Sequence, residues 1–312
     1  MSDITLADLQ ASVKDCAAFG QLSDYASLSR SYLTLLHSLG PTRIVSPSYP
    51  DYIFYQYGQS YGHRITRPLN TRLFIESEVV LAKAFERFGS FLERLRRRQD
   101  KAADSKAAQS YLASNEFNRV IYTLQQSLGC VSDSFENSNQ SRKRIGQLFE
   151  SMVKLILQQI GLECEPRTIT LPIPGYSGQR ISYQLDLVFS RGKAILASET
   201  RTLSAAEVVG SVKTTSKDRI DKVFLDKFLL TRLLGRAVPV VAIFLHDVQR
   251  SRRGNSIFSV NSTFKSNHFL AYTVALNRLD GVYYVDPRPE MTSNPRLREH
   301  IHDFQRFLVS DI

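Results

Sequence analysis

One short stretch, VPVVAIFL at residues 238–245, restricts the fold more than any other part of this chain. It is apolar at almost every position, whereas a strand with one face in water alternates apolar and polar residues. An uninterrupted apolar strand is typical of a sheet that helices cover on both faces. We therefore expect an α/β core in which helices flank a central sheet.

The sequence around this strand completes the α/β pattern. A helical segment, RKRIGQLFESMVKLILQQIG, is followed by the β-type runs RTITLPI, ISYQLDLVF, KAILAS and AEVVGSVKT, and then by the helical segment DRIDKVFLDKFLLTRLL. After the apolar strand we predict the strands SIFSV and GVYYVD, a helix between them, and a closing helix over about residues 294–308. Helices and strands thus alternate through this half of the chain.

The first part of the chain has a different sequence pattern, mainly that of helices. Apolar residues recur at helical spacing in the first 40 residues and again from 71 to about 128. We predict a helical N-terminal region over residues 1–135 and an α/β domain over residues 136–312. Between the early helices, residues 45–68 are rich in tyrosine and arginine. This mixture suits DNA contact or dimerisation, and the alternative is an ordinary packed segment.

Composition restricts the class of partner. The chain of 312 residues carries 40 Lys and Arg against 30 Asp and Glu, a net charge of +10. This excess favours a polyanionic partner such as nucleic acid. We expect no membrane span, and we expect a cytoplasmic protein because the N-terminus lacks a signal-peptide pattern. Three widely spaced cysteines predict neither a disulfide framework nor a zinc site.

Four charged residues of the α/β half are candidates for chemistry. In chain order they are Glu150 in the helix before the sheet, Asp186 in the second strand, Lys213 at the end of a later strand, and Asp226 in the next helix. Hydrolysis of a phosphodiester needs carboxylates that hold a divalent cation and a group that positions the attacking water. The sequence supplies both kinds of side chain.

Strand alternation predicts the side on which these residues lie. Successive side chains point to opposite faces, so Ser211 and Lys213 share one face while Val212 points into the core. Asp186 lies among alternating apolar residues, and we expect it on the same polar side. Adjacent strands would then bring Asp186 and Lys213 within reach of one cation and one water.

This order of residues resembles the PD-(D/E)xK nuclease superfamily, the fold of most type II restriction endonucleases. The matching features are G-x-x-x-E from Gly146 to Glu150, Asp186 in one strand and Lys213 in another. The resemblance covers about residues 140–230. It implies a mixed central sheet flanked by helices, preceded here by the helical N-terminal half.

Two departures from the plain pattern are similar to one branch of that superfamily. Leu185 takes the place of the proline, and Ser211 stands where the acid of (D/E)xK is expected. In restriction enzymes that cut sites built on CCGG or CCNGG, the missing acid comes from the following helix. This sequence has Asp226 there, 13 residues after Lys213.

The same branch follows its lysine with two small hydroxyl residues and a basic–acidic–basic triplet that reads C·G pairs. With Ser211, the corresponding residues form the predicted DNA-binding set: Thr214, Thr215, Lys217, Asp218 and Arg219. Arginine and lysine donate to guanine O6 and N7, and a carboxylate accepts from cytosine N4. Ser216 is a candidate N-cap, which predicts that the triplet lies on the first turn of a helix.

The resemblance implies a type II restriction endonuclease that hydrolyses double-stranded DNA at a palindromic site with a CCGG or CCNGG core. Asp186, Asp226 and the backbone carbonyl of Val212 would ligate Mg²⁺, and Glu150 would hold a second ion or its water shell. Lys213 would orient the attacking water. A palindromic site implies a homodimer or a higher oligomer, and a restriction enzyme is paired with a cognate DNA methyltransferase.

Several alternatives stay open at the level of sequence. Glu199 is a rival acid because Glu199-x-Arg201 imitates ExK, although arginine does not readily transfer a proton as lysine does. A repair or recombination nuclease of the same fold would need no base-reading triplet. A non-catalytic DNA-binding protein would explain Ser211 in the place of an acid. The basic stretch at residues 246–253 is a second candidate for DNA contact, or else a solvated turn.

Overall fold

The computed structural model describes residues 4–97, 106–135, 137–190, 194–197, 202–217 and 219–312. The chain forms two compact units. The first comprises residues 1–152 and 248–263, and the second comprises residues 153–247 and 264–312. These units differ in extent from the predicted regions 1–135 and 136–312, because residues 136–152 and a later hairpin belong to the first unit. The predicted functional division stays a prediction.

The first unit is mainly helical, in agreement with the periodicity of its sequence. Its helices are α1 (Leu6–Lys14), α2 (Leu22–Leu39), α3 (Glu78–Arg96), α4 (Lys106–Ala113), α5 (Glu116–Ser132) and the first part of α6 (Ser138–Gln159). Short 3-10 turns occur at Cys16–Ala18 and Gln59–Tyr61. Helix α5 is buried from Phe117 to Ser132 except at the half-buried Arg119, and it packs against α1, α2, α3 and α4.

A small three-stranded sheet accompanies these helices. Strands β1 (Thr42–Val45), β2 (Tyr52–Gln56) and β3 (Leu69–Asn70) form an antiparallel sheet in that order. The tyrosine-rich segment supplies β2, and its residues Tyr52, Phe54, Tyr55 and Tyr57 are buried. For these four rings, the packed alternative fits the structure, because they are not open to a base. DNA contact by the rest of residues 45–68 stays a prediction.

The second unit contains the predicted central sheet. Its strands are β4 (Cys164–Pro172), β5 (Arg180–Ser190), β6 (Glu207–Thr215), β7 (Val240–His246), β10 (Gly281–Tyr284) and β11 (Ile301–Asp303). They lie in the order β11-β10-β7-β6-β5-β4. The pairs β4–β5 and β5–β6 are antiparallel, and β6–β7, β7–β10 and β10–β11 are parallel. The sheet is therefore mixed, and the apolar strand β7 is central.

Helices flank this sheet as the all-apolar β7 predicts. They are the end of α6, α7 (Ile220–Leu234), α8 (Ser266–Ala275), α9 (Pro289–Ser293) and α10 (Phe304–Arg306), with a π turn at Phe307–Asp311. One cluster of the core joins Phe224 of α7 and Phe269 of α8 to Phe244 of β7. Every residue of β7 is buried. No helix in the described ranges has the length and apolar character needed to cross a bilayer.

Two local predictions are wrong. The described part of KAILAS, residues 194–197, forms no strand. The predicted closing helix contains strand β11, in which Ile301 pairs with Val282. Leu297, Ile301, Phe304 and Leu308 are all buried, and their spacing of four, three and four residues imitates a helix. Pairing with a distant strand overrides this local pattern.

The remaining element is a hairpin of the first unit. It consists of β8 (Val248–Arg253) and β9 (Ser256–Ser262), which pair antiparallel. Residues 246–253 are thus largely a strand, and the turn of the hairpin follows them. Gly254 occupies this turn with a φ of +58°, a left-handed conformation that glycine adopts at little cost.

Candidate active site

The site begins where two strands of the sheet separate. Strands β5 and β6 pair from Ser190↔Glu207 to Leu187↔Gly210, and Asp186 is the next residue of β5 beyond this ladder. On its other edge, β5 pairs with β4 from Arg180 to Phe189. The close approach at the last rung suits Gly210, since a Cβ there would lie 3.2 Å from the Leu187 side chain.

Lys213 and Asp186 meet at this point. The Lys213 ammonium donates to Oδ2 of Asp186 at 2.5 Å. The Val212 backbone N–H donates to the same oxygen at 3.0 Å, and the Ser211 hydroxyl lies at 3.4 Å from it. The carboxylate is partly exposed, with 18% of its side-chain surface accessible, against 28% for Lys213. The Asp186 carboxylate and the Lys213 ammonium are therefore both accessible to a ligand.

Burial alternates along β6 and shows which face carries Lys213. Strands β6 and β7 run parallel in register, with Val212 opposite Ile243 and Lys213 opposite Phe244. Val212 is fully buried, while Ser211 and Lys213 are half-buried on the other face. The alternation predicted for this strand is observed.

A pocket of about 370 Å³ surrounds these residues. Asp186, Ser211, Lys213, Arg219 and Asp226 all line it. Helix α7 brings Asp226 to the pocket, and Lys222, one helical turn earlier, donates to Oδ2 of Asp226 at 2.6 Å. Asp226 therefore lines the pocket and also forms an ion pair with Lys222 along the helix. Three of the four predicted catalytic residues share one cavity.

The pocket has further polar residues that sequence reasoning did not select. Ser182 and Gln184 of β5 also line it, and their spacings of four and two from Asp186 indicate a shared face. Burial raises the pKa of the Tyr183 hydroxyl, and the negative charge of Asp226 raises it further. Lys227 is buried and binds Asp280 at 2.6 Å, a contact that no local pattern predicts.

The donor set fits a magnesium ion. Mg²⁺ prefers oxygen ligands, and it is commonly held by one or two carboxylates while it keeps several waters. The pocket offers the carboxylates of Asp186 and Asp226, and the hydrogen bonds described above all reach Asp186 through Oδ2. Within the described ranges, no group of three or more His, Cys, Asp or Glu side chains is placed to hold a metal ion, so such an ion would depend on these two carboxylates and on water. Ligation by the Val212 carbonyl stays a prediction.

Glu150 lies on α6 as predicted, half-buried and next to the fully buried Phe149. It belongs to the first unit, two residues before the boundary with the second. Its association with the Asp186 pocket stays a prediction. The rival acid Glu199 and its neighbour Arg201 lie outside the described residues.

The predicted base-reading segment follows β6. Thr214 and Thr215 are half-buried at the end of this strand, and Lys217 and Arg219 are exposed. Asp218 lies outside the described residues. The side chains of Lys217 and Arg219 are therefore open to solvent.

The predicted cap of the next helix is wrong. Ser216 is buried, and Arg219 is the N-cap residue of α7, which begins at Ile220. The backbone N–H of Arg219 donates to the Ser216 carbonyl at 3.2 Å, which closes a turn before the helix. Lys217 therefore precedes α7 and Arg219 caps it, so neither lies within its first turn.

Comparison with known proteins gives the fold. No protein-family model matches the chain, and no curated protein matches it in sequence. Among solved structures, it is similar to the type IIP restriction endonuclease Kpn2I, with a TM-score of 0.65 and 17% sequence identity. The match covers 97% of this chain and 95% of that one. The chain therefore has a restriction-endonuclease fold, and its chemistry must be argued from the site.

Proposed function

We propose that this protein is a type II restriction endonuclease that hydrolyses double-stranded DNA at a palindromic site in the presence of Mg²⁺. The observation that carries the proposal is the contact between Asp186 and Lys213 in a pocket that Asp226 also lines. Neighbouring carboxylates and an ammonium group are the side chains that metal-dependent phosphodiester hydrolysis requires. The similarity of fold raises the expectation that such a site acts on DNA.

The predicted site residues have distinct roles in this proposal. Asp186 and Asp226 would hold Mg²⁺ with the Val212 carbonyl, and Glu150 would hold a second ion or its water shell. When bound, the ion would supply positive charge that stabilises the developing phosphate oxyanion. Lys213 binds and orients the attacking water, because its compact ammonium donates to several acceptors at once. Its contact with Asp186 fixes that ammonium beside the carboxylate.

The proposed recognition site has a CCGG or CCNGG core. Lys217, Asp218 and Arg219 read C·G pairs in the major groove, assisted by the hydroxyls of Ser211, Thr214 and Thr215. Arg219 is exposed and also borders the pocket, so one residue links base reading to the reaction site. A homodimer in the cytoplasm, paired with a cognate methyltransferase, completes the proposal.

A plasmid digest tests this function. Purified protein is incubated with a sequenced plasmid, with Mg²⁺ in one sample and EDTA in the other. We expect discrete fragments with Mg²⁺ alone, and mapping their ends gives the site. A smear, or cleavage confined to branched DNA, would support a repair or recombination nuclease of the same fold.

One observation favours a second candidate, a DNA-binding protein without nuclease activity. Ser211 occupies the position of an acid, and its hydroxyl contacts Asp186 where a second carboxylate would otherwise lie. Intact plasmid under all metal conditions, together with a stable complex on DNA, would support this candidate and reject the nuclease.

A further inference from the structure

The β8–β9 hairpin carries an unneutralised group of arginines. Arg250, Arg252 and Arg253 are exposed, and residues 248–263 contain no acidic side chain. Within the described ranges, none of the three forms an ion pair. Other exposed arginines of the first unit do, as Arg72 with Asp51 at 2.8 Å and Arg97 with Glu93 at 3.0 Å illustrate. The hairpin therefore concentrates three free positive charges.

The base of the hairpin is firmly anchored. Val248 and Val260 are buried in a cluster with Tyr52 and Phe54 of β2. The Ser48 hydroxyl accepts from the Val260 backbone N–H at 2.8 Å and donates to the Val260 carbonyl at 3.0 Å. The arginines thus extend from a fixed support, and a fixed support lowers the ordering cost of binding.

The arginines at the outer end of the hairpin are exposed to solvent. A register shift between Ser251 and Arg253 interrupts the pairing with β9. Such bulges re-aim side chains, and here Arg252 and Arg253 are both exposed although neighbours on a regular strand point to opposite faces. The tight turn at Gly254 follows directly.

We propose that this hairpin binds the sugar–phosphate backbone of duplex DNA. This inference rests on the proposed function and adds a contact surface outside the pocket. Guanidinium groups suit phosphate oxygens, and release of condensed counterions favours such binding. The chain enters the hairpin directly from β7, the strand that pairs with the Lys213 strand. Contacts to phosphate would strengthen binding without adding sequence preference.

The test replaces the three arginines together, as R250Q/R252Q/R253Q. The control K83Q/K106Q/R296Q removes the same charge from exposed residues on separate parts of the chain. Binding to cognate and to random duplexes is measured in EDTA as salt is raised. Three lost phosphate contacts should lower the salt slope by about 2.7, which corresponds to about a 40-fold difference in salt sensitivity between about 50 and 200 mM. Cognate and random duplexes should be affected alike.

Two further measurements make the outcome decisive. R250K/R252K/R253K keeps the charge and should restore most of the slope, while thermal unfolding verifies that the glutamine variant is folded. Equal slopes for hairpin and control variants would overturn the proposal, as would a loss restricted to the cognate duplex. If the wild type cuts no DNA, the proposed function fails, while the slopes still decide whether the hairpin binds DNA.

Discussion

Two roles are considered for Asp226, and substitution distinguishes them. It lines the cavity of Asp186 and Lys213, and it also forms an ion pair with Lys222 at 2.6 Å. A surface pair of this kind contributes at most about 1 kcal/mol to stability. A carboxylate that ligates a catalytic metal contributes several kcal/mol to the reaction. The two roles therefore predict different effects of substitution.

We expect D226N to slow cleavage about 100-fold or more while unfolding hardly changes, because the lost ligand acts on the transition state. K222Q is the matched control, since it removes the same ion pair and keeps the carboxylate. Initial rates of cleavage on a single-site duplex provide the measurement. Similar rates for both variants and the wild type would remove Asp226 from the metal site.

The proposed role of Arg219 is to read a base of the recognition site. We expect R219A to weaken cognate binding by about 1 to 3 kcal/mol and to leave random-duplex binding nearly unchanged, because a bidentate contact to guanine is lost. Arg296 is also exposed, and R296A provides the control. Gel-shift titrations on both duplexes measure the ratio. Equal losses on the two would exclude a base-reading role.

At the scale of elements, a buried ion pair fixes the start of β6. Glu207 is fully buried, and Arg167 of β4 donates to its two oxygens at 2.7 and 3.0 Å. Burial alone raises the pKa of Glu207, but hydrogen bonds from Arg167 and from the backbone N–H groups of residues 196, 197 and 204 lower it to about 2. The pair holds the strand that carries Lys213.

We expect E207Q to destabilise the protein by about 3 to 5 kcal/mol, because Arg167 is buried and keeps only the partly exposed Glu165 as a charge partner. E165Q is the control, since Glu165 contacts the same arginine and is 27% exposed; we expect its effect to stay below about 1 kcal/mol. Denaturant unfolding at neutral pH measures both. Equal losses of unfolding free energy in E207Q and E165Q would show that burial of the Glu207 carboxylate does not determine the contribution of the pair.

The lowered pKa of Glu207 also predicts the direction of acid sensitivity. The folded state holds this carboxylate ionised, so its contribution to stability is complete above the ordinary pKa of 4.5 and is lost as the pH falls toward 2. The stability difference between the wild type and E207Q should therefore shrink over this range. A difference that stays constant down to pH 2 would contradict this account.

Local rules predicted some elements and failed for others. Alternation along a strand is a property of each residue's own backbone, so the shared face of Ser211 and Lys213 could be predicted from sequence. The meeting of Lys213 with Asp186 also needed strands β5 and β6 to be neighbours, which the resemblance supplied. Ser216 failed as a cap because backbone hydrogen bonds close a turn at this point. Ile301 failed because its strand partner, Val282, is distant in sequence.

At the scale of the whole molecule, the similarity to Kpn2I extends over both compact units. The helical first unit therefore belongs to the same fold as the sheet that carries the pocket, although the sequence resemblance was limited to about residues 140–230. The net charge of +10 accords with a DNA-binding role for the chain. The proposed palindromic site requires two copies related by two-fold symmetry.

We expect two chains on each cognate duplex. Sedimentation of the complex in EDTA should give the mass of two protein chains plus one DNA, because each half-site occupies one set of reading residues. A duplex with one half-site destroyed serves as the control and should bind more weakly. One chain per intact site would contradict the homodimer.

If the Lys213 ammonium beside Asp186 acts in hydrolysis, K213A should lose cleavage and keep binding. The variant and the wild type are compared on one cognate duplex for Mg²⁺-dependent cleavage and, in EDTA, for binding. We expect cleavage to fall by about 100-fold to 10,000-fold while cognate binding is largely retained. Cleavage by K213A at the wild-type rate would show that Lys213 has no part in the reaction.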